Sequence, residues 1–287
     1  MAILPVNGFA TRKEGDMRIT YGMVWILLLL LGGFAAGVAN AASGESGSGI
    51  GDDPVPARTI LAIGAHAGDM EVSCGAVLAK HAANGDRVVM LHLTLGERGH
   101  PGLSPDAYAE QKRREALEAA EILGAEVVFG PYRDAEIPDS EEARLYVNDV
   151  IRQVKPSHII THWKNSIHRD HSTTWAIVTD AILLASLEGI DSAHPRHRGV
   201  RGVYFAENWE DMEGYEPYIF VDVTESFDTW TEAISRYEFI IGDISSFPYF
   251  DYYTSLARVR GALARSTHAV TFNIGAFGKR RNLDLFP

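Results

Sequence analysis

The chain has 287 residues, 46% of them hydrophobic and 22% charged, enough apolar material for a sizeable core. Its formal net charge of −12 argues against nucleic acid or an anionic membrane surface as the main partner, because either would reward a basic face. A single cysteine, Cys74, excludes an internal disulfide framework and reads as a small buried hydrophobe.

Arg18 precedes an apolar stretch, Tyr21 to Val38, that ends in Ala39-Asn40-Ala41-Ala42. A basic region, an apolar run and a small-residue exit predict a secretory signal peptide over 1–41, cleaved after Ala41. The competing expectation is an uncleaved membrane tether, since about 18 apolar residues is the short end of a span. Either way the protein is expected outside the cytoplasm, periplasmic or secreted. Residues 42–57 are Gly, Ser and acid with little to bury and read as a flexible linker.

From Arg58 the pattern alternates. Thr59 to Ile63 is a short apolar run stopping at Gly64, the look of a buried parallel strand. Val72 to Ala83 has helical spacing and closes on Asn84-Gly85. A strand over Arg87 to Leu95 leads into the loop Gly96 to Gly102. Ser104 as N-cap and Pro105 at the first helical position open a helix through Leu123, stopped by Gly124. Ala125 to Phe129 is a third strand, Ser140 to Val154 a helix, His158 to Thr161 a fourth strand, and Ser172 to Leu187 a further helix. Beyond Gly189, Val203 to Phe205 and Tyr218 to Val221 read as edge strands and Ser226 to Ile241 as a helix. Strand and helix repeated at this spacing predict a mostly parallel α/β sheet with helices on both faces, one domain over 58–275 with a tail over 276–287.

In such a sheet ligands bind beyond the carboxyl ends of the strands. Two polar groups fall there: Ala65-His66-Ala67-Gly68-Asp69-Met70-Glu71 after the first strand, and Thr161-His162 with His168-Arg169-Asp170-His171 after the fourth. Imidazole and carboxylate together suit a borderline divalent metal such as zinc, and three protein ligands would leave the open position of a catalytic site. Read alone, the same residues serve equally well as helix caps and loop polars.

At these residues the chain resembles the PIG-L/LmbE N-deacetylases, which carry A-H-P-D-D-E after the first strand, R-x-x-E with a trailing L-G on the second helix, and H-P-D-H after a later strand. The counterparts here are Ala65–Met70, Lys112-Arg113-Arg114-Glu115 leading to Leu123-Gly124, and His168–His171. The resemblance implies a Rossmann-like α/β fold and one zinc held by His66, Asp69 and His171. It also implies that His168 stabilises or protonates the tetrahedral intermediate and that Asp170 orients it. Lys112, with Arg113 beside it, and Asp134 fall where the family contacts substrate, an N-acetylated sugar or glycoconjugate.

One position departs from the pattern. The family's general base, the first aspartate of its string, is Gly68 here, and a glycine accepts no proton. Loss of a general base typically costs about 10²–10⁴ in rate. Two readings follow: an N-deacetylase whose base is supplied elsewhere, with Glu97 preferred over Asp170 and Glu71, or a catalytically weak zinc-containing carbohydrate-binding protein. A different metal-dependent amide or ester hydrolase is a third. Acetate release by a Gly68→Asp variant, with none from the native protein, would count against native activity. Trp163, Trp209, Tyr215 and Tyr218 are candidates for an aromatic sugar platform.

Overall fold

The computed structural model describes residues 57–280 apart from positions 212, 243 and 277. The expected signal peptide or tether, nearly all of the linker and the end of the tail lie outside the described residues. No helix among the described residues is long and apolar enough to cross a membrane.

The seven strands are β1 (Thr59–His66), β2 (Arg87–Thr94), β3 (Glu126–Phe129), β4 (His158–Thr161), β5 (Gly202–Ala206), β6 (Ile219–Asp222) and β7 (Ala269–Asn273). They form one sheet in the order β3-β2-β1-β4-β5-β7-β6. The first five run parallel, β7 is antiparallel to β5, and β6 is antiparallel to β7. Between them run α1 (Asp69–Ala83), α2 (Pro105–Leu123), α3 (Glu141–Val154), α4 (Arg169–Ser186), α5 (Phe227–Ile234), α6 (Glu238–Ile241) and α7 (Tyr249–Ala264). One face of the sheet is covered by α1, α2, α5 and α7, the other by α3 and α4. Both faces are therefore dry, which is why β1 and β2 read as unbroken apolar runs.

The chain leaves β1 towards β2 and β3 on one side, and leaves β4 towards β5 on the other. Such a reversal opens a crevice at the carboxyl ends of the two central strands. The polar groups after β1 and β4 are delivered into that crevice by this topology.

Local signals explain most boundaries. The Ser104 hydroxyl accepts the Ala107 N–H, Pro105 occupies the first turn, and Gly124 closes α2 at φ 71°. Ser140 caps α3 in the same manner through the Ala143 N–H. Four expectations need correction. First, α1 begins at Asp69 and α4 at Arg169, each three residues before its expected start. In α4 the cap is His168, whose Nδ1 accepts the Asp170 N–H, so a stretch that reads as polar loop is a first helical turn. Second, of the two expected edge strands β5 is internal, flanked by β4 and β7, and β6 is at an edge. Third, the helix expected over Ser226 to Ile241 is two helices with a break at 235–237. Fourth, α7 and β7 had no signal strong enough to place them.

The contact between α5 and α1 depends on Gly75. A Cβ there would lie 2.8 Å from Trp230 Cδ1, and Trp230, 1% exposed, donates its indole N–H to the Glu71 carbonyl at 2.8 Å. Gly75→Ala overpacks this contact and is expected to destabilise by about 1–3 kcal/mol. For a domain of this size that lowers Tm by roughly 3–10 °C, measurable by differential scanning calorimetry. An unchanged Tm would mean that Trp230 repacks freely.

Candidate metal centre

The site is organised around one carboxylate oxygen. Asp69, the first residue of α1, places Oδ2 3.2 Å from His66 Nδ1, 3.4 Å from His171 Nε2 and 3.2 Å from His162 Nε2, and the same oxygen accepts the His66 backbone N–H at 2.7 Å. His66 ends β1, His171 sits in the first turn of α4, and His162 follows β4. Three elements of the sheet edge thus meet within hydrogen-bonding range, and the expected triad of His66, Asp69 and His171 is brought together.

The outward nitrogens are backed by further carboxylates. His66 Nε2 lies 3.2 Å from Asp134 Oδ1 and 3.5 Å from Asp170 Oδ2. His171 Nδ1 lies 3.3 Å from Glu210 Oε2, 3.8 Å from Asp211 Oδ1 and 3.2 Å from Ser166 Oγ. An imidazole with one nitrogen turned inward and the other held by a carboxylate is the arrangement that orients metal ligands. Burial disfavours charge on both imidazoles, but the Asp69 carboxylate outweighs it. His171 is pushed up to about 9, and His66 is held well above its ordinary value. Burial likewise opposes ionisation of Asp69, yet the charges of His171 and His66 hold it well below the usual carboxylate range.

Five carboxylates (Asp69, Asp134, Asp170, Glu210 and Asp211) therefore surround His66 and His171. Buried oxygens of Asp170, Glu210 and Asp211 have no hydrogen-bond partner. Orphaned buried carboxylate oxygens are costly, and a divalent cation between the inward nitrogens would offset the negative excess. The residues present fit a zinc-type ion on charge, donor type and convergence.

The remaining two histidines are distinguished by what their nitrogens already do. His162 Nε2 accepts the Ala65 N–H at 3.0 Å, which occupies its lone pair and ties it to β1, although it also falls with Asp69 and His171 in a second group that could hold a metal. Its pKa is lowered by burial and by the His171 charge. His168 spends Nδ1 on capping α4, so its proton sits on Nε2, the nitrogen left for the cavity. Burial and the charges of His66 and His171 lower its pKa and favour the neutral form. The expectation that the Asp170 carboxylate orients His168 is corrected: its Oδ2 accepts the Ala135 N–H and faces His66, and it is the Asp170 backbone N–H that holds His168.

Position 68 has its own architecture. Gly68 has φ 107°, a left-handed conformation that side chains rarely adopt, and a Cβ there would lie 2.8 Å from the Phe239 ring. The space of the family's aspartate is filled by an aromatic from α6. Below the loop, Lys112 Nζ donates to the Ala67 carbonyl at 2.6 Å and lies 3.9 Å from the centroid of Phe239 and 4.6 Å from that of Tyr237. Glu71 accepts the Gly68 N–H at 3.1 Å and the Tyr237 hydroxyl at 2.5 Å. A lysine and a glutamate thus clamp the single Ala67–Gly68 peptide group, one at its carbonyl and the other at its N–H. An aspartate at position 68 would meet backbone strain and the Phe239 ring together.

Burial lowers the Lys112 ammonium to about 8, against the pull of Glu115 and Glu71. Between that value and the ordinary 10.5 the unfolded chain binds the extra proton, so folding stability rises with pH through about 8 to 10.5. The gain is about 3 kcal/mol at full extent. Denaturant titrations across that window should show the slope in the native protein and its loss in Lys112→Met.

A cavity of about 130 Å³ lies over the inner nitrogens, bordered by His66, Asp69, His168, His171, Phe239 and Tyr249. The other expected residues fall outside it. Glu97 is nearly buried and accepts the Asp134 N–H at 3.1 Å, so it supports the Asp134 loop. Asp134 backs His66 and also accepts the Arg98 N–H, Lys112 lies beneath Phe239, and Arg113 is exposed on the outer surface with its guanidinium 4.1 Å from the Phe129 ring centroid. Of the four platform candidates only Trp209 borders the cavity. Trp163 and Tyr215 pack on each other, and Tyr218 lies under Lys279. Sequence reasoning missed Glu210, Asp211, Phe239 and Tyr249; an acidic pair directly after the β5 segment was the one available signal.

An open, doubly covered α/β sheet with a His/Asp cluster at its switch point defines a Rossmann-like domain whose side chains could hold a metal. Residues 61–182 match the model of the PIG-L family, described as GlcNAc-PI de-N-acetylase. It is 27% identical to a 4-oxalmesaconate hydratase of Pseudomonas putida over 75% of this chain and 84% of the relative. It is 28% identical to a 1D-myo-inositol 2-acetamido-2-deoxy-alpha-D-glucopyranoside deacetylase of Kineococcus radiotolerans, over 55% of this chain and 51% of the relative. The chain thus spans about half the length of that deacetylase. The N,N'-diacetylchitobiose deacetylase of Pyrococcus horikoshii has the same fold, with a TM-score of 0.69 and 21% identity over 77% of this chain and 84% of that one.

Proposed function

We propose that the protein is a zinc-dependent hydrolase that removes an N-acyl group from an amino sugar or glycoconjugate. The observation that carries this reading is the convergence of His66 Nδ1 and His171 Nε2 on Asp69 Oδ2, with carboxylates behind both imidazoles. A zinc ion held by these three side chains would polarise an acyl carbonyl and acidify a water molecule. His168, neutral with its proton on Nε2, would hydrogen-bond the developing oxyanion, and the leaving amine would take the proton that the base removes from the water. Residue 68 cannot accept a proton, and Glu97 is committed to the Asp134 N–H. Glu210 is the carboxylate outside the ligand set that borders the cavity, and burial raises its proton affinity. The test is acetate release from N-acetylated sugars by zinc-loaded protein. It is expected to fall by about 10²–10⁴ in Glu210→Gln with zinc content held equal, and much less in Glu97→Gln. Equal rates in Glu210→Gln would remove Glu210 from the reaction, and no release from any substrate would remove the hydrolase reading.

A second reading, addition of water to an unsaturated carboxylate, is favoured by Gly68 in place of the deacetylase base and by the 84% coverage of the hydratase relative. Loss of enoate absorbance without release of an amine would identify it.

A further inference from the structure

The end of β5 brings a third stretch of chain to the crevice, beside those after β1 and β4. Beyond Ala206 the chain turns through Asn208, Trp209, Glu210 and Asp211. Asn208 closes that turn from both of its oxygens. Its side-chain Oδ1 accepts the Glu210 N–H at 3.0 Å, and its backbone carbonyl accepts the Asp211 N–H at 3.0 Å. A short amide side chain suits the place because it imitates a backbone turn two residues long. These residues lie beyond the 61–182 stretch that the family model matches, so their role has to be read from this chain's own geometry.

The turn commits one end of the Asn208 amide and leaves the other. Only an oxygen can accept the Glu210 N–H, so this bond fixes which way the amide faces and leaves Nδ2 with its two protons. No described residue accepts from Nδ2. Asn208 is nearly buried, on the wall of the cavity that it shares with His66, Asp69, His168 and His171. In the same turn Glu210 Oε2 and both Asp211 carboxylate oxygens are sealed from water without a hydrogen-bond partner. Asn208 Nδ2 is not among such sealed atoms, so it keeps access to the open space. The cavity wall also carries the carboxylates of Asp69 and Glu210, which accept hydrogen bonds when ionised and do not donate them. A preset, uncharged donor among them has an obvious use: it holds an acceptor oxygen of a ligand without competing for a cation.

We propose that Asn208 is a substrate-binding residue that donates an Nδ2–H to the oxygen of the reacting carbonyl, so that one turn sets that oxygen against Glu210. The reaction rests on the hydrolase reading, but the contact is tested without turnover. Acetohydroxamate, a small carbonyl ligand, is titrated by calorimetry into the zinc-loaded full chain and into Asn208→Asp, Asn208→Ser and Asn208→Ala, each folded cooperatively and at equal zinc content. Asn208→Asp and Asn208→Ser keep an oxygen for the Glu210 N–H and lose only the donor. Affinity is expected to fall about three- to tenfold in Asn208→Ser. It should fall further in Asn208→Asp, where a carboxylate would face the ligand oxygen. Where the wild type releases acetate from an N-acetylated sugar, kcat/KM should fall in the same order. If Asn208 served the turn alone, Asn208→Ala would be impaired while Asn208→Asp and Asn208→Ser matched the wild type, and that result overturns the proposal. So does a wild type that shows no saturable acetohydroxamate binding. Binding with the expected losses but no acetate release from any substrate would retire the hydrolase reading and keep the contact.

Discussion

Asp69→Ala should abolish stoichiometric zinc binding, weakening it by more than about 100-fold, because loss of an outer partner alone typically costs 10–100-fold. Asp69 Oδ2 is the atom nearest to three imidazoles at once, and its charge is the main influence holding His66 and His171 above their ordinary pKa values. Without it the two histidines lose their common partner, while Asp134, Asp170, Glu210 and Asp211 remain behind them. The measurement is zinc per chain after dialysis, paired with competition against a chromophoric chelator. Retention of one zinc at wild-type affinity would mean that the histidines and the outer carboxylates form the site by themselves. Metal-stripped wild type and Asp69→Ala should also differ in Tm response to added zinc, with several degrees of stabilisation in the former and none in the latter.

Glu71→Ala should be the most destabilising single change around the site, by about 3–5 kcal/mol. Glu71 is fully buried, accepts from Tyr237 and from the Gly68 N–H, and lies 3.3 Å from His92 Nε2. Removing it strands all of these donors together with the nearby Lys112 ammonium in the core. Thermal unfolding should move down by roughly 6–20 °C, and zinc affinity should fall with it, since the Ala67–Gly68 loop loses one side of its clamp. Glu71→Gln keeps the shape and one acceptor and should fall between the two. A Tm within a degree of wild type in Glu71→Ala would show that water fills the gap and that the clamp carries no energy.

Much of the fold was legible because the signals were local and redundant. Ser104, Pro105 and Gly124 mark both ends of α2 within a few residues, and the apolar runs of β1 and β2 need both faces covered. The meeting of His66, Asp69 and His171 was legible because parallel topology puts the ends of β1 and β4 side by side, whatever the loops do. What was hidden depends on distant chain. Phe239, Tyr249 and Glu210 reach the site from beyond residue 200, where short helices and antiparallel strands carry weak periodicity. The role of His168 as a cap was hidden for a different reason: an imidazole in place of Ser, Thr or Asp gives no standard helix-start signal. The filling of the Gly68 space by Phe239 joins residues 171 positions apart, and no spacing rule along the chain could have paired them.

The proposed role of His66, Asp69 and His171 is to hold one catalytic metal. Zinc-edge X-ray absorption on the loaded protein, with zinc stoichiometry from elemental analysis of wild type, His171→Ala and His162→Gln, tests it most directly. The account predicts one zinc per chain with two imidazole nitrogens and carboxylate oxygen at about 2.0–2.2 Å, lost in His171→Ala and kept in His162→Gln. Stoichiometric zinc in His171→Ala, or its loss in His162→Gln alone, would contradict it.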